Sequence, residues 1–438
     1  MNQHVPHHAA RFGLLVVACT AGITPLAAQD EFERPPIAYS TSTPDNQIER
    51  LQDRIDAGQI RLQHDETFGY LKSVLAELRV PISSQTLVFS KTSLQQQRIR
   101  PSNPRALYFN DDVYIGYVRT GEVVEISVAD PKLGTVFYTL DQTMADQPTF
   151  VRQTDECLIC HGGSQTRGAP GHVIRSVYPD SSGQPIFSAG SYRVDHTTRH
   201  QQRWGGWYVT GSHGDATHLG NVTYRVRPDG EQPEDTTGLN VADVSDRFQA
   251  GGYLSPHSDL VALTVLAHQA AAHNVITKAS FDVRSALHRE VALNRELGEP
   301  ENHRWPSTET ILDSSATSLV ECFLFCDEAP LAAPIEGTTD FAHEFAAAGP
   351  AAADGRSLRE FDLQTRLFRH PCSFLIYTAS FDALPEELRT RFWTRMDAVL
   401  VRNEGGPAFG HLSADDRTAI RQILAATKPG APKQWSAP

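Results

Sequence analysis

Two thiols and an imidazole stand together at Cys157, Cys160 and His161, within the run Glu156-Cys157-Leu158-Ile159-Cys160-His161-Gly162-Gly163. Cys-x-x-Cys-His is the attachment signature of c-type haem. Each thiol would add across one vinyl group of the porphyrin, and the spacing sets the reach between the two bonds. His161 then supplies an imidazole as proximal ligand to the iron. Gly162 and Gly163 let the backbone leave the haem face without a side chain in the way.

Three plainer chemistries compete for the same residues. A redox dithiol belongs in a cytosolic strand-helix context, whereas this chain begins with an export-like segment. A structural zinc site wants four ligands and a second close pair, but Cys322 and Cys326 have three residues between them. A plain disulfide leaves the adjacent histidine without a role. One covalently attached haem c is therefore the expected cofactor, held by Cys157, Cys160 and His161.

A low-spin haem needs a sixth ligand, His or Met. His172, His196, His200, His213 and His218 follow the motif closely. His213 sits after a strand candidate and before a glycine, so it is the expected distal ligand, with His196 and His218 as alternatives. Met144 precedes the motif in a polar loop, and His268 and His273 lie on a helix further on. Arg105, Arg175, Arg193 and Arg203 are candidates for pairing with haem propionates. Trp204 and Trp207 suit a core or a haem edge.

The chain has 438 residues and a formal charge of −13, with no basic tract to engage nucleic acid. Residues 1–28 read as a secretory signal: Arg11, an apolar run from Phe12, and small residues at Ala27 and Ala28. The expected location is the periplasm. The alternative is a lipoprotein anchored at Cys19, because Val16-Val17-Ala18-Cys19 resembles a lipoprotein box. No run after the signal reaches the roughly 20 apolar residues of a spanning helix, so no transmembrane segment is expected in the mature chain. Cys322, Cys326 and Cys372 are an odd set whose pairing stays open.

The elements that must position the motif follow from texture. Residues 29–83 form an extended lead-in and two helices, at 47–62 and 68–78. Short β-rich runs follow at 86–90, 106–109, 113–118, 123–128 and 136–140, separated by Asn, Asp, Gly and Pro. Strand character resumes at 172–178 and 185–189, a hairpin pattern, and at 207–210 and 222–226. Helical spacing governs 259–287, 315–325, 386–402 and 413–427, the last with Ser413 as N-cap. The fold class is α+β. An antiparallel β-rich haem-bearing domain at 84–250 precedes a mainly helical domain at 251–430.

Three segments carry a resemblance: PRALYFNDDVYIGY at 104–117, RWGGWYVTGSHG at 203–214 and PCSFLIYTASFDALP at 371–385. Together with the motif they make the chain resemble uncharacterised bacterial cytochrome c domain-containing proteins, from about residue 84 to residue 428. The resemblance implies a single covalent haem and no defined activity. More loosely, a sheet, the motif and then a hairpin are similar to haem-bearing PAS-like domains of exported bacterial proteins. Residues 412–424 alone look like the terminal helix of a small cytochrome c. The expected function is electron transfer with a redox partner protein of open identity. A haem enzyme, peroxidase- or oxidase-like, with an open sixth site is the alternative, and a haem-based redox or ligand sensor acting through a partner is the third reading.

Overall fold

Side-chain turns fold the β-rich runs back on one another. Asn110 Oδ1 accepts from the backbone N–H groups of Asp112 and Val113, and Asp130 Oδ1 accepts from those of Lys132 and Leu133. In the computed structural model this yields six antiparallel strands, neighbours in chain order. They are β1 Thr86–Val88, β2 Arg105–Phe109, β3 Val113–Val118, β4 Val123–Asp130, β5 Gly134–Asp141 and β6 Phe150–Gln153. The structure describes residues 31–225, 230, 232–233 and 237–436. The signal assigned to 1–28 and the lipoprotein alternative at Cys19 lie outside them.

β4 alternates buried and half-buried residues along its length, so the sheet has two distinct faces. On one, Val124, Ile126 and Val128 join Tyr108, Ile115, Tyr138 and Leu140 in a continuous apolar cluster. Helices α1 (Gln47–Asp56) and α2 (Leu71–Glu77) cover that face with Ile48, Leu51, Ile55, Leu71 and Val74. The two helices expected within the 29–83 stretch thus form the roof of the sheet. α1 stops at Asp56, short of the expected residue 62, because Gly58 at φ 68° turns the chain out of the helix.

The opposite face bears Arg105, Gly116, Glu125, Ser127, Phe137 and Thr139, by the pairings Gly116↔Glu125, Glu125↔Thr139 and Ser127↔Phe137. Directly after β6 comes a short helix, α3 (Glu156–His161), which is the Cys-x-x-Cys-His motif itself. The hairpin that follows pairs β7 (Arg175–Val177) with β8 (Ser191–Arg193). Its second strand lies beyond the expected 185–189, because residues 187–189 form a tight helical turn ended by Gly190 at φ 118°. Residues 207–210 make isolated bridges rather than a strand. Of the expected 222–226 run, Tyr224 and Arg225 are strand, and residue 226 is outside the described residues.

The rest is helical: α4 (Leu260–Leu297), α5 (Pro306–Phe323), α6 (Phe341–Ala347), α7 (Ala379–Asp382), α8 (Glu386–Leu400) and α9 (Ala414–Thr427). Ser413 and Asp416 form a reciprocal capping box on α9. Asp259 caps α4 by accepting from the N–H groups of Val261 and Ala262. α4 is long and apolar enough to cross a membrane, but 94% of its most apolar window is buried inside the protein, so here it serves as a core helix. The architecture is α+β, as expected. The helices share one core with Phe109, Tyr114, Ile174, Val194, Trp204 and Trp207, all from before residue 250.

Candidate functional site

The motif occupies one turn and a half of helix. Positions 157, 160 and 161 stand at i, i+3 and i+4, so both thiols and the imidazole share a face. Ile159 points away and is 82% exposed. The Cys157 and Cys160 thiols are free, with Cys157 half-buried and Cys160 exposed. Burial pushes the Cys157 thiol up to about 11, and the carboxylates of Glu125 and Glu156 push in the same direction. Cys157 is thereby kept as a neutral S–H.

His161 is oriented by the loop that follows it. Its Nδ1 lies 2.9 Å from the Gly171 carbonyl, and the Gly171 N–H donates to the His161 carbonyl at 2.9 Å. A carbonyl can only accept, so Nδ1 carries the proton and the lone pair is on Nε2. The ring rests against Phe137 with centroids 5.0 Å apart. Burial lowers its pKa, with the Gly171 contact opposing, so the ring is neutral near pH 7. A neutral imidazole with Nδ1–H bonded to a carbonyl and Nε2 available is what an iron ligand requires. These residues therefore fit a covalently attached haem.

The clamp continues one residue further. His172 donates its backbone N–H to Asn274 Oδ1 at 2.8 Å, and Asn274 Nδ2 donates to the His172 carbonyl at 2.7 Å. A Cβ on Gly171 would lie 2.2 Å from Asn274 Oδ1, so position 171 has to be glycine for α4 to approach. A Cβ on Gly162 would fit tightly, 3.0 Å from the Leu158 carbonyl oxygen and 3.1 Å from the Phe32 ring, whereas Gly163 has open space and is not sterically required. The His172 ring is spoken for: Nε2 is 3.0 Å from Ser127 Oγ and Nδ1 is 3.3 Å from Thr135 Oγ1.

Beside the motif, Arg105 and Glu125 form an ion pair at 2.6 Å whose side chains are only 19% and 13% exposed. Gly116 lies beneath the guanidinium, where a Cβ would meet Arg105 Nη2 at 2.3 Å. This pair acts electrostatically on both Cys157 and His161. Of the other expected arginines, Arg175 donates to Ser191 Oγ and lies over the Phe187 ring, and Arg193 donates to the Gln165 carbonyl. Arg203 is buried and spends its donors on the carbonyls of Thr198 and His196. A small open cleft, lined by Arg167, His172, Ile174, Arg193 and Asn274 among others, adjoins the end of the motif loop.

The expected distal ligands make ring contacts with one another and with other side chains. His213 and His218 pack together with His200 and Trp204, and His196 packs against His268 with Nδ1 atoms 3.4 Å apart. Among the described residues no ring contact joins either group to His161. The geometry of His213 runs against a ligand role. Its Nε2 accepts from the Asn240 N–H at 3.0 Å, which places its proton on Nδ1 and leaves no lone pair for iron. His218 Nδ1 is similarly committed to the Gly220 N–H. His268 faces Ser373 Oγ, His273 the Asp111 carbonyl, and Met144 is 70% exposed on its loop. Trp204 and Trp207 are core residues, with Trp207 Nε1 donating to the Arg175 carbonyl.

Sequence reasoning passed over Gly171, Asn274, Gly116 and the Arg105–Glu125 pair. A glycine-histidine step ten residues after His161 was the one local signal, and only the fold gives it meaning. Among the described residues no cluster of three or more His, Cys, Asp or Glu is placed to hold a bare metal ion, which leaves a haem iron with a single protein ligand untouched. Comparison of the chain with protein-family models, with curated proteins and with solved structures found no match in any of the three.

Proposed function

We propose that the chain is an exported monohaem c-type cytochrome, with one haem attached through Cys157 and Cys160 and its iron bound by His161. This is the reading that its resemblance to cytochrome c domain-containing proteins also favours. The observation that carries it is the state of His161: neutral, with Nδ1–H held by the Gly171 carbonyl and Nε2 unclaimed beside two free thiols. When bound, the haem supplies one-electron redox chemistry. The chain's residues do the rest. Gly171 and Asn274 fix the imidazole's direction, Phe137 backs it, and Arg105 with Glu125 sets a local field at the thiols and the imidazole. The role proposed is electron transfer with a protein partner in the periplasm.

A second reading has one observation in its favour. His172, His213 and His218 have nitrogens committed to other protein groups, and His196 is enclosed against His268. A haem held by His161 alone would leave an open sixth position, suited to an enzyme or a ligand sensor.

Mass spectrometry of the protein from a host competent in haem maturation tests the first reading. One added haem that survives acid extraction is expected, with a greatly reduced holoprotein yield in Cys160→Ser. An unmodified mass would sink it. Paramagnetic resonance then separates carrier from enzyme: a low-spin ferric signal unchanged by cyanide favours electron transfer, and a high-spin signal that cyanide converts favours the open site.

A further inference from the structure

His200, His213, His218 and Trp204 bring four side-chain nitrogens together that the motif does not use. The residues are 5%, 0%, 8% and 1% exposed, so each is more than nine-tenths buried. The rings are in mutual contact: centroids are 4.8 Å apart for His213 and His218, 5.7 Å for His200 and His213, and 6.0 Å for His200 and His218. Trp204 closes the group at 4.9 Å from His200 and 5.4 Å from His218. In each residue one nitrogen has no protein partner: His200 Nε2, His213 Nδ1, His218 Nε2 and Trp204 Nε1. A buried polar atom without a partner is destabilising, and four in one place call for a guest.

The partner of each opposite nitrogen fixes what the guest must do. His200 Nδ1 lies 3.0 Å from the Thr217 carbonyl, so it carries the proton, and Nε2 is an acceptor. His213 Nε2 and His218 Nδ1 each accept from a backbone N–H, of Asn240 and Gly220, at 3.0 Å. Their free nitrogens, Nδ1 and Nε2, are therefore N–H donors, as is the Trp204 indole. The Ala216 backbone lies near the His213 ring and favours its protonation, but no hydrogen bond forms at Nδ1.

Three donors and one acceptor describe one class of guest. A metal ion needs lone pairs, and only His200 offers one. An anion would be buried among imidazoles that burial keeps neutral, and it could not donate to His200 Nε2. A water molecule has two lone pairs and two protons, so it can accept from two of the donors and donate to His200 Nε2. An oxygen at hydrogen-bond distance from a ring nitrogen lies about 4 Å from the ring centroid, and centroids 4.8–6.0 Å apart can share one such atom. We propose that His200, His213, His218 and Trp204 enclose a binding site for a single water molecule, which accepts from His213 Nδ1 and His218 Nε2 and donates to His200 Nε2, with the Trp204 indole closing the site. It joins the 200–204 segment, where Trp204 holds a strained φ of 66°, to the loop carrying His213 and His218. The proposal is independent of the haem reading.

A high-resolution crystal structure of the full chain, grown without added metal, tests it. The expected result is one peak refining as oxygen, within about 2.6–3.2 Å of at least three of the four nitrogens. No peak, a metal shown by anomalous scattering, or a halide would each overturn the proposal. Nitrogen-15 NMR provides a second arm that needs no variant. Protons at His200 Nδ1, His213 Nδ1 and His218 Nε2, the last two showing exchange cross-peaks to water, are expected. The opposite tautomer at His213 or His218, or no contact with water, would overturn it. In Trp204→Phe, which keeps a ring at the position, the water cross-peaks at His213 and His218 should persist; their loss in a folded variant would show that the guest is not held by the histidines.

Discussion

Asn274 is where α4 reaches the loop after the Cys-x-x-Cys-His helix, and its removal gives the sharpest test of how His161 is held. In Asn274→Ala the N–H and C=O of His172 both lose partners. Those bonds are 2.8 and 2.7 Å long, between residues that are 6% and 7% exposed. Each buried group left unsatisfied costs about 1–3 kcal/mol, so the variant should lose about 2–5 kcal/mol, allowing for partial entry of water. Asn274→Asp separates hydrogen bonding from packing. The carboxylate still accepts from the His172 N–H, but it places an oxygen against the His172 carbonyl, so most of the loss should remain. The assay is urea denaturation followed by tryptophan fluorescence, with a midpoint shift at unchanged slope read as lost stability. The Gly171 carbonyl should also loosen, so exchange of the His161 Nδ1 proton should quicken in both variants. A stability change within about 0.5 kcal/mol, the range of an ordinary surface substitution, would refute the clamp.

Four further outcomes are expected. Gly171→Ala should lose stability comparably, because its Cβ would strike Asn274 Oδ1, whereas Gly163→Ala, with open space around it, should stay within about 0.5 kcal/mol by the same urea assay. Gly116→Val should displace the Arg105 guanidinium from Glu125 at an overpacking cost of about 1–3 kcal/mol, visible as a lower urea midpoint. Burial holds His200 down to about 4 and His218 down to about 3, below their unfolded value near 6.5. Between those limits the unfolded chain binds more protons, so stability is complete above about pH 6.5 and falls as the pH drops towards 4, by up to about 1.4 kcal/mol per pH unit for each ring; a thermal midpoint that shows no pH dependence in this window would refute the assignment. In protein prepared without haem, a maleimide should label Cys160 first and Cys157 more slowly. Cys322 and Cys326, both pushed up to about 12 chiefly by burial, and the buried Cys372, also pushed up, should react only after unfolding.

What the sequence disclosed was local. Cys157, Cys160 and His161 are picked out by spacing along the chain, and α3 places them on one face. The six-stranded meander is legible because Asn110 and Asp130 make their turns with neighbours two or three residues away. The Ser413 cap depends on Asp416, three residues on. What stayed hidden depends on partners far along the chain. Nothing near His213 says that Asn240 takes its Nε2, so it looked available to an iron. Nothing near residue 50 says that α1 roofs the sheet. α3 itself has six residues, too few for a hydrophobic period to be read.

The clamp on His161 has a consequence in time as well as in space. Asn274 lies 102 residues after the position it holds, and chains fold from the N-terminus as they are made. Cys157 and Cys160 therefore emerge well before the residue that fixes the imidazole's direction. On the proposed haem reading, the motif before α4 docks would be a short segment that an attachment catalyst could bend around a porphyrin. Once α4 docks, the Asn274 bonds hold the loop closed and the histidine can no longer swing. On that reading the order of synthesis would separate a period for bond formation from a period in which the site is held fixed. A circular permutation that delivered α4 first would reverse that order, and it should lower the yield of covalent haem while leaving the folded geometry intact.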